Sequence, residues 1–582
     1  MAFKPVGVTA ENLQMFEQLS AERKAGQAAG ILPTWYTTQG YQMFKEGYAA
    51  PEETPASGVA SVHARHTVIA ITLARHMKGR VSEWEKKFFD LQWSGRLSPA
   101  SPALGNTGTS RGQSVSCSGQ EVDDSVASYY GNLKRMALLS QNGFGTSGDF
   151  SKIRPRGSKI SRGGKANGPV PVIDQFFDTA GKIRQGRRRG AFAAYLDIEH
   201  ADWDEAADSL LNSPNGKNYG WTIRDSFVAR LKAGEADAHR RFTKALYIKL
   251  VTGKGYFFCV DKANRHRPQM YKDWGLDIVA TNLCTEIMLH SSKEFDYSCI
   301  LASLNLVHLD QIMDPNDETI FEAMVFLDCL CSEFIERSKG VKGLKKVRKF
   351  TQYGRAVGLG VMGLHTYLQM KRIPYISLEA QFLDNALFKR IHDETLRASQ
   401  WLAKEYGEPK WCKGYGVRNT HRTALAPTKS TALLMGGVSE SWLPDPAMIF
   451  DAGSAVGELR RITPVIYELM KERGVYSEAT INDIIEHMGS VQHVDWLDEH
   501  EKLVFLTAFE MDQEILLRRA SLRQKWLCQG QSLNFFVPED GCEEKVARLM
   551  TKVLCDENIF SQYYIYSRSG VVVKDECVAC AA

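Results

Sequence analysis

The chain has 582 residues, of which 24% are charged and 44% fall in the hydrophobic set, with 72 basic against 68 acidic side chains for a formal net charge of +4. That composition excludes a disordered chain, a collagen-like repeat and an all-helical coiled coil. The near balance of charge speaks against a generic nucleic-acid coat and against a polybasic membrane binder.

The N-terminus shows no apolar run after its first charge, so no secretory signal is expected. Apolar stretches such as 323–327 stop early, here at Asp328. A spanning helix needs roughly 18 such residues, so no membrane segment is expected. The 12 cysteines are about 2% of the chain, too few for a disulfide scaffold, and the expected location is a reducing cytoplasm.

Residues 59–95 are predicted helical. Val62, Val68, Ile69, Ile71, Leu73 and Met77 recur at helical spacing, and Trp84, Phe88, Phe89 and Leu91 follow. Pro99 and Pro102 stop helices, which closes a helical N-terminal region 1–100. From 101 to 568, short apolar runs alternate with helical patterns, which predicts one dominant α/β domain. Residues 170–173 are read as an edge strand, because Pro171 lacks an N–H, and 256–260 as a strand. Residues 342–349 are read as a solvated helix surface, with Leu344, Val347 and Phe350 at helical spacing. Phe382 to Tyr406 reads as an amphipathic helix capped by Gly407. Residues 569–582 read as a flexible tail.

Several groups carry chemistry. Cys577 and Cys580 in the tail could close a small disulfide, hold part of a metal site, or do nothing; a tethered dithiol favours redox use. Asn282, Cys284 and Glu286 share one face if their segment is extended. That face offers an amide, a thiol able to act as nucleophile or hydrogen-atom abstractor, and a carboxylate base. Cys117 and Cys299 each sit in strand-like alternation, and their pairing is open between a disulfide and two unrelated core thiols. Thr428, Lys429, Ser430 and Thr431 sit at a predicted helix start, where free amides either bind phosphate or are simply capped. Arg154, Arg162 and the run Gln185 to Gly190 are arginine–glycine loops suited to phosphate. Tyr563 and Tyr564 are either strand packing or an electron relay.

Together these features resemble the large subunit of class I ribonucleotide reductase, from about residue 97 onward. The most specific pieces are Asn282-Leu283-Cys284-Thr285-Glu286, the Tyr563-Tyr564 pair followed by Arg568 and Gly570, and the terminal Cys577 and Cys580. The resemblance implies a ten-stranded α/β barrel, here 101–568, with a central finger loop that presents Cys284 as the thiyl radical. It implies that Glu286 takes a ribose proton and Asn282 holds the ribose hydroxyls. Cys117 and Cys299 would supply the electrons and end as a disulfide. Cys577 and Cys580 would recharge them from thioredoxin or glutaredoxin. Ser101, Ser116 and Thr428–Thr431 would bind substrate, a ribonucleoside diphosphate. Asp124, Arg154, Arg162, Gln185 and Arg189 would bind a deoxynucleoside triphosphate or ATP effector at a homodimer interface.

No cofactor or metal is expected in the chain itself. A metal-bearing small subunit would supply the radical through Tyr564 and Tyr563. This relay favours class I over the adenosylcobalamin-dependent class. The long members' N-terminal ATP cone is not expected, because only about 100 residues precede the Ser-Pro-Ala-Ser-Pro segment at 98–102. The competing readings are a non-catalytic nucleotide- or nucleic-acid-binding protein, and a dithiol oxidoreductase acting through the tail alone. The charge balance disfavours the former.

Overall fold

The computed structural model describes residues 10–50, 56–161, 163–185, 188–454, 457–538 and 543–567. Four helices come first: Ala10–Ala28, Thr38–Gly47, Ala60–Ala74 and Val81–Trp93. The last two turn most of the predicted apolar residues inward, with Val62, Ile69, Leu73, Trp84, Phe88 and Leu91 buried, but Ile71 is 48% exposed.

Two groups of strands follow. Cys117–Glu121, Gly145–Asp149, Phe192–Asp197, Tyr219–Ile223 and Tyr256–Cys259 pair in parallel, and Ser561–Gln562 adds antiparallel to the last. These strands are buried along their length and separated by helices, the pattern of a parallel sheet covered on both faces. In the second group Leu301–Asn305 lies between Leu97–Pro99, antiparallel, and Gly358–Met362, parallel. Single parallel bridges, Leu359 to Thr423 and Leu425 to Gln531, extend it to five segments. The antiparallel bridge between Cys117 and Cys299 joins the two halves on one side. On the other side the Tyr563 N–H donates to the Leu533 carbonyl at 2.8 Å. The two groups together form the α/β barrel.

Helices cover the outside. Leu378–Tyr406 is started by the Ser377 hydroxyl, which accepts from the Ala380 N–H, and is ended by Gly407 at φ 82°. The segment at 170–173 is no strand. It opens the helix Val170–Lys182, with Pro171 in the first turn. Proline there loses no hydrogen bond, because the first helical N–H groups have no partner within the helix. Residues 342–349 feed the helix Lys345–Gly354, which buries Val347 and Phe350. A hairpin, Ile449–Ser454 with Gly457–Ile462, and three helices between Pro464 and Val504 form a smaller unit with its own core around Ile466, Ile481 and Phe505. Among the described residues, no helix is long and apolar enough to cross a membrane.

Candidate active site

From Ala280 to Ser291 the chain runs through the barrel with neither helix nor strand, and every residue is buried. A buried loop must find partners for its backbone groups. The barrel wall supplies them. The Tyr195 hydroxyl donates to the Asn282 carbonyl at 2.8 Å, Ser532 to that of Cys284 at 2.5 Å and Ser561 to that of Thr285 at 2.8 Å. The Gly530 N–H donates to the Glu286 carbonyl at 2.9 Å, and the Met288 N–H donates to the Gln529 side chain at 3.2 Å. Two glycines make room for the rings inside the barrel. A Cβ on Gly119 would lie 2.0 Å from the Tyr297 ring, and one on Gly220 would lie 2.2 Å from Tyr195.

The loop is not extended, so 282, 284 and 286 do not share a face by strand geometry. Thr285 takes φ 69°, a left-handed conformation uncommon for a β-branched residue, and the chain turns there. Strain of this kind concentrates at functional sites. The turn still unites the expected side chains. Asn282 Nδ2 donates to Glu286 Oε1 at 2.9 Å and reaches Cys117 Sγ at 4.0 Å. Ser532 Oγ donates to Glu286 Oε2 at 3.1 Å, so both carboxylate oxygens are held.

Cys117 and Cys299 face each other across their bridge. The Cys299 N–H donates to the Cys117 carbonyl at 3.0 Å, and no disulfide joins the thiols. Burial, then the nearby Cys284 and Glu286, pushes the Tyr195 phenol well above its usual range, so it remains a neutral donor. Burial does the same to Tyr297, which lies within electrostatic reach of Cys117, Tyr195 and Cys299. Cys117 Sγ therefore lies beside the loop at Asn282, with Cys299 as its backbone bridge partner.

On the other side of Cys284 lie aromatic rings. The Tyr563 hydroxyl donates to Cys284 Sγ at 3.6 Å. The Tyr564 ring is 4.1 Å from that of Tyr563, and the Tyr256 hydroxyl donates to the Tyr564 oxygen at 3.0 Å. Lys249, wholly buried, donates to the Tyr563 carbonyl at 2.7 Å, and burial lowers its pKa well below the usual range. The cluster thus offers a thiol touching a phenol, a doubly held carboxylate, an amide and a second thiol pair.

The other predicted residues are more dispersed. Ser116 adjoins the cysteine bridge, its N–H donating to the Cys299 carbonyl at 3.1 Å. Ser101 is buried against the Tyr48 hydroxyl at 2.8 Å. Thr428 caps the short helix Lys429–Leu434, but its hydroxyl accepts from the Ser441 N–H at 2.8 Å. Ser430 and Thr431 are buried and Lys429 is exposed. Asp124 pairs with Arg154 and accepts from the Tyr129 hydroxyl at 2.6 Å; burial opposes, but these bonds hold its carboxyl below the usual range. Gln185 and Arg189 lie in a short antiparallel strand pair. Arg162, Cys577 and Cys580 lie outside the described residues.

Tyr195, Ser532, Ser561, Gln529, Tyr256 and Lys249 escaped the sequence reading. A polar residue within an apolar run, as Lys249 is between Ile248 and Leu250, was the one available signal. Two groupings among the described residues could ligate a metal, Asp483 with His487 and His493, and His76 with Glu333 and Glu336. Neither includes a finger-loop residue, and Arg75 already pairs with both glutamates of the second.

The family model "Ribonucleotide reductase, barrel domain" matches residues 115–240, 227–414 and 410–553, and "Ribonucleotide reductase, all-alpha domain" matches 34–112. The chain belongs to the ribonucleotide reductase large-subunit family. A Frog virus 3 protein described as a candidate ribonucleoside-diphosphate reductase large subunit is 32% identical over 494 residues, 80% of this chain and 85% of its own. A vitamin B12-dependent ribonucleoside-diphosphate reductase of Thermoplasma acidophilum is 32% identical over 484 residues, 77% of this chain and 61% of its own. Among solved structures, the Actinobacillus ureae class Id ribonucleotide reductase alpha subunit superposes with a TM-score of 0.83 at 33% identity. That match covers 93% of this chain and 99% of the other.

Proposed function

We propose that this chain reduces ribonucleoside diphosphates to 2′-deoxyribonucleotides by a thiyl-radical mechanism. The observation that carries the reading is the finger-loop tip: Cys284 lies against the Tyr563 hydroxyl, two residues from a carboxylate held by Asn282 and Ser532. Cys284, oxidised by one electron through Tyr564 and Tyr563, takes the 3′ hydrogen. Glu286 takes the 3′-hydroxyl proton and Asn282 holds the ribose hydroxyls. Hydroxide is a poor leaving group, and a radical on the neighbouring carbon together with a base on its hydroxyl makes loss of water accessible. Two electrons are consumed, and the Cys117–Cys299 pair supplies them and ends as a disulfide.

In the same reading, Cys577 and Cys580 of the tail 569–582 reduce that disulfide by exchange, and thioredoxin or glutaredoxin renews them. Ser101, Ser116 and Thr428–Thr431 receive the substrate. Asp124, Arg154, Arg162, Gln185 and Arg189 receive a deoxynucleoside triphosphate or ATP effector across a homodimer. The chain holds no cofactor of its own, and a metal-bearing small subunit supplies the radical. The place of action is the cytoplasm.

The test is substitution in an assay that includes the small subunit. Cys284→Ser is expected to abolish product. Cys577→Ser with Cys580→Ser is expected to leave roughly one turnover with thioredoxin, yet to keep activity with a small dithiol that enters the barrel. Full turnover by Cys284→Ser would refute the mechanism. The likeness to a B12-dependent relative favours a second reading, in which adenosylcobalamin supplies the radical. Activity with adenosylcobalamin and no small subunit would select it, and would leave the Tyr563–Tyr564 contact without a role.

A further inference from the structure

Residues two apart in an extended segment share a face. After Ser561–Gln562 the chain extends through Tyr563 and Tyr564 into the strand Ile565–Ser567. Tyr563 turns inward to Cys284, while Tyr564 and Tyr566 lie on the other face with ring centroids 5.6 Å apart. The phenols therefore form one line: a 3.6 Å contact from Cys284 to Tyr563, 4.1 Å between the rings of 563 and 564, and 5.6 Å to 566. Exposure rises along it. Tyr563 is 3% exposed, Tyr564 is partly covered and Tyr566 is 43% exposed. An oxidant on another protein meets Tyr566 before either residue of the pair.

We propose that Tyr566 is a third redox station, which accepts the oxidising equivalent at the protein surface and hands it to Tyr564. The proposal rests on the relay reading above and extends it outward. Each step conserves atoms and electrons. A one-electron-oxidised centre on the small subunit takes an electron from Tyr566, and the phenolic proton leaves to water. The Tyr566 phenoxyl then takes a hydrogen atom's worth of proton and electron from Tyr564, breaking one O–H bond and forming another. Tyr564 recovers the same from Tyr563, and Tyr563 from the Cys284 thiol, whose S–H bond breaks.

Phe536 stacks on Tyr566 at 5.3 Å and 22°, and its strand Phe535–Val537 pairs in parallel with Ile565–Ser567. A phenylalanine ring is much harder to oxidise than a phenol, so this neighbour supports the ring without draining the radical. It also defines the competing role, an aromatic kept only for packing. Tyr566→Phe preserves the stack and removes the O–H.

The experiment uses the full chain with its radical-generating small subunit. Tyr566→Phe is expected to lower turnover by ~10-fold or more at saturating small subunit. Replacing Tyr566 with 3-aminotyrosine, which is easier to oxidise, is expected to trap a radical visible by electron paramagnetic resonance. The same replacement at Tyr564 is the control for the relay itself. A radical trapped at 564 but not at 566, or a Tyr566→Phe enzyme that changes only the half-saturating concentration of small subunit, overturns the proposal and leaves the relay standing. Silence at both positions overturns the relay reading and this proposal together.

Discussion

Two sets of buried cysteines differ in the groups aimed at their sulfurs. Cys117, Cys284 and Cys299 line the inside of the barrel, Cys329 and Cys331 sit in the main core, and Cys412 packs in the same apolar cluster as Cys117 and Cys299; none of the six is more than 3% exposed. The first set meets polar atoms, a phenol on Cys284 and an amide near Cys117, and Cys117 is bridged through its backbone to Cys299. In the second set, Cys329 and Cys331 lie near the ion cluster of Asp328, Arg355 and Arg418, and Cys412 meets a thioether. Cys329 and Cys331 lie on the helix Thr319–Arg337, and Cys412 packs on the Met270 sulfur at 3.7 Å. Burial pushes Cys331 and Cys412 up to about 12. Under the proposed function, reactivity comes from what the wall aims at a sulfur, and depth by itself predicts the opposite.

The strongest way to break that contrast is to disarm the wall around Cys284. A general base contributes ~10²–10⁴-fold to a rate, so Glu286→Gln is expected to lower kcat within that range. Ser532→Ala is expected to cost about tenfold to a hundredfold, because Ser532 holds one Glu286 oxygen and the Cys284 carbonyl. Steady-state deoxynucleotide formation measures both. Wild-type turnover by Ser532→Ala would mean that the loop holds its geometry without this contact. Cys331→Ala is the matched control in the other set, and turnover per folded molecule is expected to be unchanged.

A buried polar cluster in the second region sharpens the contrast from the side of stability. Asp328, on the same helix as Cys329 and Cys331, pairs with Arg355 at 2.7 Å and Arg418 at 3.0 Å. Burial alone would raise its pKa, but the two guanidiniums overturn that and hold it at about 2. A carboxyl depressed from 3.8 contributes its full stability above about pH 4, and loses it as pH falls toward 2. Asp328→Asn removes the countercharge of the buried Arg355 and the partly buried Arg418 and is expected to cost about 3–5 kcal/mol in unfolding free energy. Urea melts at pH 7 read that loss, and the gap between variant and wild type is expected to close as pH drops below 4. A gap independent of pH would mean that the carboxylate charge carries none of the effect.

What the sequence made legible was local. The helix Leu378–Tyr406, the strand Tyr256–Cys259 and the Asn-x-Cys-x-Glu spacing each depend on neighbours a few residues apart. The edge-strand reading of 170–173 failed because Pro171 marks a helix start as readily as a strand edge, and the preceding Pro169 decides for the helix. The wall of the site was illegible for a different reason. Ser532 reaches Cys284 from 248 residues away, Tyr256 reaches Tyr564 from 308, and Tyr195 reaches Asn282 from 87. Such contacts are made by barrel closure, and no periodicity of one segment encodes them. The turn at Thr285 belongs with them, since a left-handed threonine persists only where surrounding bonds impose it.

The smallest effect tests the packed thiols directly. The thiolate is the species that alkylates, and at pH ~8 a thiol with a pKa of about 12 ionises in only about one molecule in ten thousand. Cys331 and Cys412 are therefore expected to resist iodoacetamide until the chain unfolds. Cys528 is the opposite case. Burial would raise it, but the Arg422 charge and hydrogen bonds from the Arg422 and Thr423 region bring it below its usual value, and it is partly exposed. Among the described residues, Cys528 and the exposed Cys555 are expected to label first in the native protein. Peptide mass spectrometry at a series of times gives the order. Early labelling of Cys331 or Cys412 would show that their core opens readily, and the division between the two sets of thiols would then rest on motion as well as on partners.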